Sequence, residues 1–194
     1  YVGFQLGVKC KFLAFTGLAI SDDNGRKFEK YSEVPVMDRM PDAQYIVAIH
    51  SILFENGIFR CYYATSGGWL NLNGKYYPRY DISYTESEDG TRFRPGKKII
   101  ICDEKNNEYR IGRPRVIKMR DMYIMHFTYG TTDGRYQTGQ ASSYDGLHWH
   151  RDDSMFNLRP SNDGWDSRHL SYPAYLKTES GDEYLFYNGN DFGR

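Results

Sequence analysis

The chain has 194 residues, 40% hydrophobic and 16% aromatic, which is enough for one sizeable core and too apolar for a disordered tail. Its 25 Lys and Arg match its 25 Asp and Glu, and it has no basic tract, so neither nucleic acid nor an anionic membrane is an expected partner. No apolar run reaches the roughly eighteen residues a membrane span needs.

The first element in chain order is a turn phrase, Ser21-Asp22-Asp23-Asn24-Gly25-Arg26-Lys27-Phe28. It returns as Ser87-Glu88-Asp89-Gly90-Thr91-Arg92-Phe93 and as Ser143-Tyr144-Asp145-Gly146-Leu147-His148-Trp149. In such a phrase Asp accepts backbone N–H bonds, Gly supplies a positive φ, and the aromatic three residues on packs beneath the next strand. It marks the hairpin tips of a repeated β unit.

Between the phrases lie further aligned segments. Val47–Leu53, Ile111–Ile117 and Leu170–Leu176 each read as a short strand entered after a polar loop. An aromatic strand follows each of them, at Phe59–Tyr63, Tyr123–Phe127 and Tyr184–Tyr187, after hairpin signals at Glu55-Asn56-Gly57, Arg120-Asp121 and Ser180-Gly181-Asp182. A third strand runs into the turn phrase, as at Tyr80–Tyr84 and Thr138–Ser142, and a fourth leaves it, clearest at Gly96–Ile101. No segment keeps a 3.6-residue apolar period.

Four antiparallel strands repeated along the chain predict an all-β fold, a β-propeller of four-stranded blades. The expected division is one partial blade over residues 1–44, two whole blades over 45–107 and 108–165, and a partial blade over 166–194. That is about three blades, where a closed ring has at least about four. The chain opens inside an apolar alternating segment and ends just after Tyr187-Asn188-Gly189-Asn190, as a piece of something longer does. No leader is visible, and the compartment stays open, with the cytoplasm slightly favoured. A β-sandwich would also give many short strands, but the common register of the three repeats disfavours it.

Three cysteines, Cys10, Cys61 and Cys102, lie far apart with no CxxC or Cys/His spacing, so neither a zinc site nor a disulfide framework is expected. No spaced acidic loop of the kind that holds calcium is present. The 18 tyrosines suit half-buried strands and surfaces that stack on sugars.

In a propeller the first strand of each blade lines the central channel, so polar residues entering those strands converge. Ile49, Arg113 and Tyr172 fall in one row, with His50, Pro114 and Pro173 beside them. Glu108 and Asp166 lie just upstream of two of these strands. Two carboxylates on one pocket are what glycosidic cleavage requires, one protonating the leaving oxygen and one activating water or attacking the anomeric carbon. Glu108 and Asp166 are therefore the candidate catalytic pair. Arg113 is a candidate for binding a hydroxyl pair, Trp69 and Trp165 for stacking on a sugar face, and His50, His169 and Tyr172 for reaching into the pocket. Asn188 and Asn190 either cap a turn or bond substrate hydroxyls. Each has a plainer alternative, since an acid at a strand entrance is more often a turn or ion-pair residue, and an arginine more often braces a carboxylate. His126 and His148 read as ordinary strand and turn residues.

At Gly17–Asp23, Gly112–Lys118, Gly164-Trp165-Asp166-Ser167 with Tyr172-Pro173, and Tyr187–Asn190, the chain resembles the five-bladed propeller glycosidases of the arabinanase, levansucrase and invertase superfamily. More narrowly it is similar to glycosidase-like propellers that accompany bacterial surface-polysaccharide genes. The resemblance implies a carbohydrate partner, no redox cofactor, and a first blade and part of the second missing here, the first together with one catalytic carboxylate. Arg168 stands where similar sequences carry an acid after Trp-Asp-Ser, which leaves Glu108 and Asp166 as the carboxylates for the role. The turn phrase at Ser21 to Phe28 also resembles the Asp-box of sialidase propellers. Two alternatives to a glycosidase are a sugar-binding propeller without turnover and a propeller that binds protein.

Overall fold

A computed structural model describes residues 2–4 and 13–190. Cys10 lies outside the described residues, as does most of the opening apolar segment. Fourteen strands follow in order: β1 (Val2–Phe4), β2 (Leu13–Phe15), β3 (Ala19–Ile20), β4 (Glu29–Lys30), β5 (Ile46–Glu55), β6 (Ile58–Leu72), β7 (Lys75–Ser87), β8 (Lys97–Ile100), β9 (Glu108–Met119), β10 (Met122–Thr131), β11 (Tyr136–Ser143), β12 (His150–Arg151), β13 (Ser171–Lys177) and β14 (Glu183–Asn188). The helical content of the described residues is two short 3-10 turns, at Glu104–Asn106 and Asp153–Met155.

The fold is all-β, built of four-stranded antiparallel blades of a propeller. One blade is the meander β5-β6-β7-β8 and the next is β9-β10-β11-β12, with every neighbouring pair antiparallel. The hairpin β13-β14 supplies the first two strands of a third. Consecutive blades meet through parallel contacts between a third strand and the following first strand, Ala14 against Ile46 and Tyr80 against Arg110. Ala14 and Tyr80 each stand seven residues before the serine of their turn phrase, so the sequence repeat is a spatial repeat as well.

The turn phrases repeat atom for atom. Ser21, Ser87 and Ser143 accept the N–H of Gly25, Gly90 and Gly146 at 2.9, 2.8 and 2.8 Å, and each donates its hydroxyl to the Asp of its phrase. The glycines sit at φ of 83°, 73° and 73°, where a Cβ would be strained. Two backbone N–H groups close on each Asp, and those of Arg92 and Thr91 lower the Asp89 carboxyl to about 2. The extra residue of the first copy is absorbed without loss of these bonds.

The phrase places its aromatic beneath the next strand; in the structure Phe93 and Trp149 pack against core clusters that include residues of the preceding blade. Phe28 does not: it is 63% exposed, because the described residues hold no blade on that side for it to cover.

The largest core fills the wedge between the two complete blades. Tyr62, Ile82, Tyr84 and Ile100 from one meet Ile111, Val116, Tyr123, Met125, Phe127 and Ala141 from the other. Each such side chain contributes about 1.5–3 kcal/mol when fully removed from water. Polar groups fix the same wedge, since Tyr62 donates its hydroxyl to the Gly146 carbonyl at 3.2 Å and Arg60 donates to Tyr84, Tyr123 and the Asp145 carbonyl. The turn phrase of one blade is thereby a latch on its neighbour. No helix of the described residues is long and apolar enough to cross a membrane.

Candidate functional site

Each first strand is bent at the same repeat position. The ladder slips between Ile49 and Ser51 in β5, opposite His126 and Thr128 in β9, and between Ser171 and Ala174 in β13. These bulges hold His50, Arg113-Pro114 and Tyr172-Pro173. A bulge is where a strand tolerates proline, because no ladder N–H is needed there, and both prolines are fully buried. Arg113 and Tyr172 take left-handed φ of 52° and 56°, uncommon for residues with a Cβ and most often found where a side chain must be re-aimed.

The bends bring the predicted row together. The Arg113 guanidinium lies 4.1 Å from the centre of the Tyr172 ring, a cation over a π face. Tyr172 is held from behind, since its N–H donates to Thr128 Oγ1 at 2.9 Å and its hydroxyl accepts from Tyr136 at 3.2 Å. Beside the row, residues 49–52, 115–117 and 174–175 from all three first strands line one cavity of about 540 Å³. Blades turned about one axis place strands this distant in sequence on a common wall. His50 belongs to that wall, and Arg115 donates to its backbone carbonyl at 3.2 Å. Burial, reinforced by the charges of Arg113 and Arg115, lowers the His50 imidazole to about 4, so it is neutral at physiological pH.

Aromatic residues cluster toward the entry end of the strands. Strands β6 and β7 run past the start of β5 as a long hairpin with Asn73 and Gly74 at positive φ in its turn. On it Trp69 meets Tyr45 edge to face at 5.7 Å, and Tyr77 meets Tyr109 at 6.1 Å. Arg110, three residues before Arg113, lies over Tyr109 and Tyr136 at 5.0 and 4.5 Å. Its Nε is buried without a hydrogen-bond partner, and so is Nδ1 of His169, three residues before Tyr172.

The two candidate carboxylates have separate partners. Glu108 is buried and accepts from Arg151 through both oxygens, at 2.7 and 2.9 Å, and from the Asp103 N–H at 2.8 Å. Arg151 also holds Asp153, and this group faces a cavity of about 490 Å³ with Asp103 and Arg135. Asp166 is buried among the residues of its own loop and accepts from Tyr187 at 2.9 Å. Hydrogen bonds, first from Ser161, lower its carboxyl below the ordinary range.

Around Asp166 the other candidates divide. Trp165 is 59% exposed and stacks on Tyr187 at 5.4 Å, presenting its other face to solvent. Asn188 is exposed at the end of β14. Asn190 has no atom to offer a ligand: Oδ1 accepts from the N–H groups of Arg168 and His169, and Nδ2 donates to the Gly164 carbonyl and to Ser167. Of the two roles the sequence allows it, turn capping uses its whole amide capacity. Tyr136, Arg110 and Arg115 were not among the sequence candidates. Tyr136 had a signal, since it stands seven residues before Ser143, as Tyr80 does before Ser87.

No protein-family model matches the sequence, and no curated protein matches it. Solved structures do share the fold. A family 117 glycoside hydrolase from the marine bacterium Zobellia galactanivorans is 15% identical with a TM-score of 0.58, covering 73% of this chain and 48% of its own. A GH43_1 enzyme from Xanthomonas citri, complexed with xylotriose, is 15% identical with a TM-score of 0.57 over 82% of this chain and 44% of its own. A further glycoside hydrolase is 19% identical with a TM-score of 0.63 over 89% of this chain and 52% of its own. At these identities the likeness is one of fold, and the chain spans about half the length of each. The architecture is that of propeller-type glycoside hydrolases of families 117 and 43.

Proposed function

We propose that this chain forms part of a five-bladed propeller that takes a carbohydrate in its central funnel, and that the whole protein hydrolyses or transfers a glycosidic bond. The observation that supports this most is the stack of Arg113 on Tyr172 beside a cavity walled by three first strands. It combines a flat aromatic face, a hydroxyl and a cation at the hub, the groups that read a sugar ring and its substituents. The narrower kinship with glycosidase-like propellers of polysaccharide gene clusters belongs to the same proposal.

Asp166 and Glu108 are the proposed carboxylates, with a further one in a blade that this chain lacks. Asp166 is held ionised by its hydrogen bonds and suits the role of a base that activates water, while the general acid must carry a proton at working pH. Glu108 in its present pairing carries three donors, which favours the second reading, a propeller that binds sugar without turnover. Asp166→Asn and Glu108→Gln in the full-length protein separate the two. Loss of turnover by about 10²–10⁴-fold with retained binding supports catalysis. Unchanged turnover by both variants rejects the assignment.

A further inference from the structure

Three arginines of one strand, Arg110, Arg113 and Arg115, stand at the hub, and among the described residues none of them is paired with a carboxylate. Arg60, Arg79, Arg94, Arg135 and Arg151 each hold a Glu or Asp, whereas the hub arginines share with surface residues such as Arg26 and Arg92 the lack of an ion pair among the described residues. Arg113 and Arg115 are exposed, Arg115 at the wall of the cavity and Arg113 beside it, and no acidic residue lines the cavity among the described residues. Arg110 buries an Nε donor with nothing to receive it.

Resting on the carbohydrate reading, we propose that this arginine face binds an anionic substituent on the sugar, a carboxylate or a sulfate. Guanidinium only donates, and its planar fork matches two oxygens of an anion in a charge-assisted pairing stronger than the one it makes with the hydroxyl pair of a neutral sugar. The Arg113 guanidinium carbon lies 4.1 Å from the centre of the Tyr172 ring, and the side chain is otherwise exposed. The backbone at Arg113 is kept in a left-handed conformation to aim it there. His50 is neutral at physiological pH, so among the described residues of this wall the positive charge comes from the arginines.

The test is an array of matched oligosaccharide pairs, each a uronic acid or sulfated glycan beside its neutral parent, probed with the full chain and with Arg113→Gln and Arg113→Lys. Binding to acidic members about tenfold or more tighter than to their parents, weakened by salt and by about tenfold in Arg113→Gln, supports the inference. Arg113→Lys keeps the charge but loses the fork and falls between the two. The uronate and sulfate arms identify which anion is meant. Equal binding of acidic and neutral members, with Arg113→Gln weakening both alike, overturns the anion site and leaves the carbohydrate reading standing. Binding to no member of either kind overturns both. Unchanged thermal midpoints of the variants establish that a lost signal is not lost folding.

Discussion

Arg113 in β9 and Arg151 in β12 belong to the same blade and differ in what surrounds them. Arg151 is enclosed by Glu108 and Asp153, with Phe127 and Tyr129 beneath its guanidinium at 5.1 and 4.9 Å. Each of its three nitrogens donates to a carboxylate, and it joins β9 to β12 across a blade. Arg113 meets one aromatic ring and is otherwise open. A propeller needs charge in both places for different reasons: between strands, to satisfy buried polar groups, and at the hub, to meet whatever enters.

The sharpest way to break this contrast is to remove the enclosed cation. Arg151→Ala leaves the Glu108 carboxylate, with a side chain only 4% exposed, without its counter-ion. A loss of about 3–5 kcal/mol is expected in urea denaturation. A change below about 1 kcal/mol would mean that the pair is only a surface contact.

Next in size is the pH response of the hub. With His50 near 4 in the fold and 6.5 as its ordinary value, the unfolded chain binds the extra proton between those pH values. Stability is therefore full above pH 6.5, falls as pH drops toward 4 by about 3 kcal/mol, and has no further His50 contribution below that. Replacement by Gln flattens this segment of the stability curve. A flat curve in the parent protein would show that the imidazole is solvated rather than part of the wall.

A third probe presses on the enclosed arginine from behind. A Cβ at Gly139 would come within 2.3 Å of the Phe127 ring and 2.5 Å of Asp153 Oδ1, so Gly139→Ala displaces two of the groups that hold Arg151. The expected cost is about 1–3 kcal/mol, read as a lower thermal midpoint. The smallest expected effect is that of Arg113→Gln on stability, within about 0.5 kcal/mol, because among the described residues no hydrogen bond or ion pair depends on that exposed side chain.

Much of this arrangement is legible in the sequence, and the reason is periodicity. The turn phrases at Ser21, Ser87 and Ser143 and, as a second aligned set, the first strands put 49, 113 and 172 in one row, although the stack of Arg113 on Tyr172 within that row is visible only in the structure. The long hairpin of β6 and β7 is less legible: its strands Phe59–Tyr63 and Tyr80–Tyr84 read as separate units, although Asn73-Gly74 between them is a hairpin signal. The partners of the carboxylates are not legible at all. Glu108 finds Arg151 43 residues away across the blade, and no local pattern encodes which of several cations will reach it. Asn190 illustrates the same limit, because its four hydrogen bonds to the loop at 164–169 depend on where β14 delivers it.

The division between enclosed and available arginines is tested most directly by measuring thermal midpoint and acidic-glycan binding on the same samples of Arg113→Gln and Arg151→Ala. The account predicts that Arg113→Gln keeps its midpoint and loses the glycan, while Arg151→Ala loses its midpoint. An Arg113→Gln protein that melts as early as Arg151→Ala, yet binds glycan as the parent does, would contradict it.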